Sequence, residues 1–168
     1  AVDISHLCLM ERGQPLHAFD FDKLAGGKII VRRAKENEKI TTIDGIERKL
    51  NPSILVIADE KNAVAIAGIM GGKETEVTES TKNVLLESAY FDPILIRRAG
   101  RQLGLGTDAS YRFERGVDIE GVEQGARRAI ALISQETSGN IRSYFDLYPG
   151  KRESLKRQTS ITKNQIDE

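Results

Sequence analysis

Short apolar runs separated by turn residues occupy the middle of the chain. β-branched side chains dominate the first run, and the second run is followed by Asp44-Gly45. An Asp-Gly pair between two such runs is typical of a tight hairpin, because both turn positions tolerate positive φ. The pattern therefore predicts a strand-rich centre with a hairpin at Asp44-Gly45. The runs are residues 28–34, 39–43, 54–58, 64–67 and 83–89.

Two later segments carry helix signals. Asp92 suits an N-cap and Pro93 the first helical position, and Gly104 is a stop signal. After Asp118, which suits a second N-cap, apolar residues recur at helical spacing until Gly139. The sequence thus predicts two helices. The apolar positions of the second are Val122, Ala126, Ala129, Ile130 and Ile133.

The remaining segments have weaker patterns. Gly13-Gln14-Pro15 predicts a chain reversal just before His17. Residues 104–118 are polar and interrupted by glycine, which indicates an ordered loop. Ile141 to Leu147 is interpreted as a closing strand. Strands in the centre, helices late and no regular alternation favour an α+β fold over a doubly wound sheet.

Composition limits the possible classes of protein. A chain of 168 residues with 39% hydrophobic side chains suits one compact domain, taken as residues 1–150, followed by a polar linker or the start of another domain at 151–168. Its net charge of +0 gives no global attraction to nucleic acid or membrane, so any RNA contact must be local. Cys8 is the only cysteine, which favours a reducing, cytoplasmic setting. No apolar run has the length of a membrane span.

Several familiar catalytic motifs are absent. Gly68 to Lys73 has the wrong spacing for a phosphate loop, and Glu74 stands where a hydroxyl is required. Gly104-Leu105-Gly106 follows a predicted helix, not a strand, so it is no dinucleotide fingerprint. The two histidines and one cysteine have no metal-ligand spacing, and no Gly-x-Ser-x-Gly elbow occurs. If the chain catalyses a reaction, water is the expected nucleophile.

Five strings together resemble one known family. They cover residues 13–20, 42–45, 67–72, 86–91 and 107–118. In order and approximate spacing they are similar to the tRNA-editing domain of the bacterial-type phenylalanine-tRNA ligase beta subunit, from about Asp3 to Pro149. The resemblance implies an α+β fold with a β-rich, sandwich-like core and flanking helices. It also implies a pocket that hydrolyses tyrosine wrongly esterified to tRNA(Phe).

The resemblance assigns roles to particular residues. Glu87 matches the position that receives the tyrosine hydroxyl. His17 matches the editing histidine, which would orient the attacking water or hold the terminal ribose. Thr107 and Ala109 match pocket walls, and Gly71 would let the backbone approach the aminoacyl group. The alternatives are a solvated strand-end glutamate, a structural histidine, ordinary loop packing and a glycine that serves a tight turn.

His6 is the clearest departure from the family pattern. The family usually has Asp-x-Thr-Asn near its start, with the asparagine in or near the pocket, whereas this chain has Asp3-Ile4-Ser5-His6. We place His6 among the substrate-binding candidates, where an imidazole would alter water placement or weaken editing. Gly68 and Gly72 are further candidates for close approach to a ligand.

The resemblance also implies partners. Editing would need no metal or redox cofactor, whereas ATP and magnesium belong to the parent ligase. The partners would be tRNA(Phe), the alpha subunit and the remaining beta-subunit domains of a heterotetramer. Two alternatives stay open: a non-catalytic scaffold or RNA-docking domain of the same ligase, which His6 supports, and a free-standing aminoacyl-tRNA deacylase.

Overall fold

The computed structural model describes residues 2–137 and 139–148, in which α-helices and antiparallel strands are mixed. The α+β class predicted from the sequence is confirmed. The predicted linker at 151–168 lies outside the described residues. In chain order the elements are α1 (Val2–Arg12), β1 (Leu16–Asp20), β2 (Ile30–Arg33), β3 (Lys39–Thr41), β4 (Glu47–Lys49), β5 (Leu55–Ala58), β6 (Ala63–Ile66), β7 (Met70–Gly71), β8 (Val84–Ser88), α2 (Pro93–Leu103), α3 (Asp108–Phe113) and α4 (Gly121–Thr137).

The strands form three antiparallel sheets. Four strands lie in the order β2-β5-β6-β7, while β1 pairs with β8 and β3 pairs with β4. The β3–β4 pair is the hairpin predicted at Asp44-Gly45, and Gly45 has a φ of 80° there. Arg48 donates to both carboxylate oxygens of Asp44, which secures the turn. The predicted hairpin is confirmed.

The core lies around β5 and β6, which are almost completely buried. Their apolar runs belong to a central sheet because neighbouring strands satisfy their backbone groups on both edges. Phe91 and Phe113 meet edge-on, with ring centroids 5.1 Å apart. A Cβ on Gly68 would lie 3.0 Å from Phe91 and 3.1 Å from Ile96 and Phe113. Gly68 is therefore needed for core packing.

Helix α2 forms as its sequence signals predict. The Asp92 carboxylate accepts from the backbone N–H groups of Ile94 and Leu95, at 2.8 and 3.2 Å. At the other end Gly104 has the left-handed conformation, with a φ of 63°. Helix α4 begins at Gly121, after a turn in which the Asp118 carboxylate accepts from the backbone N–H of Glu120.

Two sequence predictions were wrong. Residues 104–118 contain helix α3 in place of a continuous loop, because Thr107 and Ser110 form a capping box that satisfies its first N–H groups. Residues 141–148 have no regular secondary structure, so the predicted closing strand at Ile141 to Leu147 is absent. Strand formation needs a partner edge, and the side chains of Ile141 and Leu147 stay 62% and 87% exposed.

The predicted turn before His17 is present. Gly13 has a φ of 68° and its N–H donates to the Leu9 carbonyl, which ends α1 and leads the chain into β1. His17 itself lies within β1. In the described ranges, every helix is too short or too polar to cross a lipid bilayer.

Candidate active site

Two of the residues singled out from the sequence face each other across a pair of strands. His17 on β1 is directly opposite Glu87 on β8. Opposite residues of an antiparallel pair project from the same face, with Cβ atoms about 4.5–5.5 Å apart. The fold therefore places the imidazole and the carboxyl group side by side, although they are far apart in sequence.

An apolar strip continues from this pair along the same face. Phe19 is two residues after His17, and its strand partner is Leu85. The rings of His17 and Phe19 meet edge-on with their centroids 4.4 Å apart. Phe19 is fully buried. His17 is thus supported on one side by a fixed aromatic ring.

Helix α4 and the end of α1 cover the opposite face of the β1–β8 sheet. The Ser88 hydroxyl donates to the Val122 carbonyl at 2.7 Å, and the Gln14 amide donates to the Ala89 carbonyl at 2.9 Å. A Cβ on Gly125 of α4 would lie only 2.7 Å from Cγ of Gln14. Because successive side chains of a strand alternate between faces, fixing Ser88 toward α4 directs Glu87 to the other side.

Gly71 on β7 packs directly against His17. A Cβ at this position would lie 2.5 Å from Cε1 and 2.7 Å from Nε2 of the imidazole, so only glycine leaves room for the ring. Gly72 faces elsewhere, because a Cβ there would lie 2.6 Å from the Val64 carbonyl oxygen. Of the three candidate glycines, Gly71 borders the imidazole, while Gly68 and Gly72 serve packing.

Thr107 connects helix α3 to the segment that leads into β7. Its hydroxyl donates to the Ile69 carbonyl at 2.9 Å and accepts from the Ser110 N–H at 3.1 Å. Both interactions are with backbone groups, so they fix the start of α3 beside β7. Ala109, the second residue of α3, is partly buried against the hydrophobic core.

His6 lies apart from the other candidates. It is exposed on α1, and within the described part of the chain no hydrogen bond, ion pair or ring contact joins it to His17 or Glu87. Its assignment to the site remains a prediction from the family pattern.

Burial shifts both members of the His17–Glu87 pair toward their uncharged forms. It lowers the pKa of His17 to about 4 and raises the pKa of Glu87 to about 8. Desolvation acts this way because a low-dielectric environment disfavours charge, whichever its sign. At pH 7 the pair therefore consists mainly of a neutral imidazole and a neutral carboxylic acid.

The polar atoms of this pair are available to a ligand. Among the described residues, neither the His17 ring nor the Glu87 carboxyl group forms a hydrogen bond to the protein. In the same residues, every fully buried side-chain nitrogen or oxygen has a hydrogen-bond partner. The unpaired atoms of His17 and Glu87 therefore reach solvent, although both residues are half-buried. Titratable groups with strongly shifted pKa values and free hydrogen-bonding capacity are typical of functional sites.

Comparison with known proteins identifies the family. A family model described as the B3/4 domain matches residues 1–138. This chain belongs to the B3/4 domain family. The chain is 52% identical over 151 residues to the phenylalanine-tRNA ligase beta subunit of Carboxydothermus hydrogenoformans, covering 89% of this chain and 19% of that protein. The predicted resemblance to this beta subunit is confirmed.

Other relatives carry the same description. The beta subunit of Moorella thermoacetica is 53% identical over 155 residues, which is 92% of this chain and 19% of the relative. That of Aquifex aeolicus is 50% identical over 150 residues, with 89% and 19% coverage. This B3/4 domain thus spans about a fifth of the length of the relatives that it matches.

The B3/4 domain also has two surface cavities away from this pair. One, of about 220 Å³, lies between the end of α1 and the start of α4, beside Gln14 and Asp118. The other, of about 260 Å³, lies beside Thr41, Val64 and Thr75. Neither of these two cavities is lined by His17 or Glu87. No cluster of metal-binding side chains occurs in residues 2–137 and 139–148.

Sequence reasoning missed the residues that support the B3/4 domain's candidate site. Phe19, Gln14 and Ser88 all lie within the strings that carried the family resemblance, yet none was singled out. The available signal was strand periodicity, since Phe19 follows His17 by two positions and Ser88 adjoins Glu87. Using it would have required the pairing of β1 with β8, which sequence patterns do not reveal.

Proposed function

We propose that this domain is the editing module of a phenylalanine-tRNA ligase, hydrolysing the ester of tyrosine wrongly attached to tRNA(Phe). The observation that supports this most strongly is the cross-strand pair of His17 and Glu87, which Gly71 borders and whose side chains form no hydrogen bond to residues 2–137 and 139–148. The relatives described as beta subunits support the same setting. In that setting the partners are tRNA(Phe) and the alpha subunit in the cytoplasm.

A separate hydrolytic site has a physical purpose in such a ligase. An apolar pocket shaped for phenylalanine rejects an analogue with one added hydroxyl by only about 100-fold. A second site that requires a partner for its own buried polar group reverses the preference. Phenylalanine would leave that group unpaired, which allows discrimination on the order of 10⁴.

Glu87 provides the polar group that would recognise tyrosine. As a neutral acid it can donate through its hydroxyl or accept through its carbonyl oxygen, so it can pair with a phenol in either direction. Covering a neutral acid with an aromatic ring costs far less free energy than covering an anion. Because burial raises the pKa of Glu87 to about 8, the group that would meet the phenol at neutral pH is mainly a carboxylic acid.

His17 would orient the nucleophile. Its neutral ring can accept a hydrogen bond from water, or bind a ribose hydroxyl. With a pKa of about 4 it is a weak proton acceptor at neutral pH, since efficient general bases have pKa values close to the working pH. The lowered pKa therefore favours a role in which His17 positions the water over one in which it accepts the proton of the water.

The reaction is an ester hydrolysis in two steps. The oxygen of water attacks the ester carbonyl carbon and forms a tetrahedral intermediate. The bond from that carbon to the ribose oxygen then breaks, and a proton from the water passes to the ribose oxygen. The products are free tyrosine and unesterified tRNA. ATP and magnesium would serve the parent ligase in aminoacylation and are not consumed in this hydrolysis.

A deacylation assay on the parent ligase tests this proposal. The wild type should hydrolyse tyrosyl-tRNA(Phe) faster than phenylalanyl-tRNA(Phe), and Glu87→Ala should remove this preference. Glu87→Gln should keep part of it, because an amide both donates and accepts. Glu36→Ala, which removes an exposed carboxylate on a different segment, is the control. Equal hydrolysis by wild type and Glu87→Ala would show that Glu87 is not the phenol receptor.

The same assay separates the alternatives. A wild-type ligase that hydrolyses neither ester would support a scaffold or RNA-docking role for this domain. Hydrolysis by the isolated chain at the rate of the parent ligase would support a free-standing deacylase.

A further inference from the structure

Helix α2 presents an exposed row of arginines. Arg97, Arg98 and Arg101 recur at the three- and four-residue spacing that lies on one helical face. Arg97, Arg98 and Arg101 are all exposed, and the helix contains no acidic residue. The side chains of Arg98 and Arg101 form no hydrogen bond or ion pair within residues 2–137 and 139–148, so their charges are not neutralised by that part of the protein.

Helix α3 continues this surface. Arg97 donates to the Glu114 carbonyl at 2.8 Å, which joins the two helices. The Glu114 carboxylate pairs with Arg115, and the Arg115 guanidinium lies over the Tyr111 ring at 3.5 Å from its centroid. Tyr111 is 58% exposed. We define the α2–α3 surface by its five side chains, Arg97, Arg98, Arg101, Tyr111 and Arg115.

The charge of this segment differs from that of the chain. Residues 93–116 contain five arginines and two acidic residues, a net charge of +3, whereas the whole chain has a net charge of +0. The balance of the whole chain therefore conceals a local positive surface. Such a surface attracts a polyanion over roughly a Debye length, about 8–10 Å at moderate salt.

The α2–α3 surface also adjoins the candidate active site. Thr107, the N-cap of α3, donates to the Ile69 carbonyl. Gly71 follows on the same strand segment and borders His17. The start of α3 therefore lies beside the segment that borders the His17–Glu87 pair.

We propose that the α2–α3 surface binds the single-stranded RNA end that carries the ester, an inference that rests on the proposed function. Guanidinium groups bind phosphates through paired N–H donors, and an exposed aromatic ring stacked with arginine suits an unpaired base. An acidic peptide or an anionic lipid surface would engage the arginines without requiring the ring. The combination of free arginines with an exposed tyrosine favours RNA.

The first test measures binding of unesterified tRNA(Phe) transcript to the 168-residue chain across a range of salt concentrations. The double variant Arg98→Gln/Arg101→Gln should bind about tenfold more weakly at low salt. Loss of two phosphate contacts should also reduce the slope of log K against log salt by about 1.4 to 1.8. The control Lys35→Gln/Lys82→Gln removes the same charge from exposed lysines on other segments and should bind within about twofold of wild type.

The second test separates stacking from charge. Tyr111→Ala should weaken binding at least about fivefold with no change of the salt slope, because stacking of a base does not release counterions. Tyr111→Phe retains the ring and should bind like wild type. Both substitutions are at an exposed position, so folding should be preserved, as circular dichroism would verify.

The outcomes for this inference and for the proposed function are distinct. The inference would be overturned if the wild-type chain showed no detectable tRNA binding. It would also be overturned if the arginine double variant bound as tightly as its lysine control, or if Tyr111→Ala bound as tightly as wild type. A chain that binds tRNA through this surface while the parent ligase hydrolyses neither ester would refute the proposed function alone. Hydrolysis that depends on Glu87 but not on these arginines would refute the inference alone.

Discussion

Burial acts in opposite directions on the pKa values of His17 and Glu87, and both changes favour an uncharged side chain. Neither side chain has a counter-ion among the described residues, so nothing there would stabilise its charged form. An uncharged pair can be covered by an aromatic ligand without the large desolvation cost of a bare charge. The same groups in charged form would favour water over an aromatic ring.

The raised pKa of Glu87 should make stability depend on pH. Glu87 holds its proton more tightly in the folded protein than in the unfolded chain, where its pKa is near 4.5. Protonated Glu87 therefore makes its full contribution to folding stability below pH 4.5, and this contribution is lost as the pH rises toward 8. Glu87→Gln cannot ionise. As the pH rises from about 5 to about 8, we expect the free energy of unfolding of the variant to increase relative to that of wild type by at least about 1 kcal/mol.

Urea unfolding of wild type and Glu87→Gln at pH 5 and at pH 8 measures this difference in stability. His17 contributes in the opposite sense, since its lowered pKa costs stability as pH falls from 6.5 toward 4, but it is present in both proteins and cancels. A difference between variant and wild type that is the same at both pH values would contradict the uncharged state of Glu87.

Gly71 should be required for the position of His17. In Gly71→Ala the new methyl group would occupy the space of the imidazole, so the ring must move. We expect hydrolysis to fall by about 100-fold or more, since small displacements of a positioning group have effects of that size. Gly106→Ala is the control, because its Cβ would meet nothing within 4 Å and its φ is not positive. Equal loss of hydrolysis in both variants would count against a specific role for Gly71.

At the scale of elements, the contact between α3 and the β7 segment depends on one hydroxyl. Thr107→Val removes both the helix cap and the bond to the Ile69 carbonyl, and we expect a loss of about 1–2 kcal/mol in the free energy of unfolding. Thr107→Ser keeps the hydroxyl and should restore most of that loss. Thermal or urea unfolding of wild type, Thr107→Val and Thr107→Ser measures this loss. Equal stability of the Val and Ser variants would contradict a stabilising role for the hydroxyl.

The elements differ in how far their sequences determine them. Helix α2 could be predicted because its start and end signals, Asp92 and Gly104, act within the local chain. Helix α3 was missed because it has only six residues and follows Gly104 and Gly106 closely, which hides its capping box. The strand expected at Ile141 to Leu147 is absent for a different reason. Its local pattern suits a strand, but an apolar run forms a strand only beside a partner strand.

At the scale of the whole molecule, order should decrease from the central sheet outward. Strands β5 and β6 are buried and hydrogen-bonded on both edges, whereas residues 139–148 have no regular structure. We expect amide hydrogens of β5 and β6 to exchange only on global unfolding and those of 141–148 to exchange fastest. Hydrogen exchange by mass spectrometry checks this order, and similar rates in both regions would contradict it.

The sequence could predict the α+β class of the whole molecule but not its strand partners. Periodicity shows that 83–89 can form a strand, yet nothing local shows that β8 pairs with β1 and not with a neighbour in sequence. The family resemblance supplied His17 and Glu87 as candidates, and the structure adds that they are direct partners. Which of Gly68, Gly71 and Gly72 borders His17 also depended on tertiary packing.

The pairing of β1 with β8 has a consequence during protein synthesis. His17 leaves the ribosome long before Glu87, and the Val122 carbonyl that accepts from Ser88 leaves later still. Contacts between such distant segments form late, because the intervening loop must close first. The two halves of the candidate site therefore come together only after β8 has been synthesised. The hydrolysis proposed for this domain should therefore be detectable only after helix α4 has also emerged.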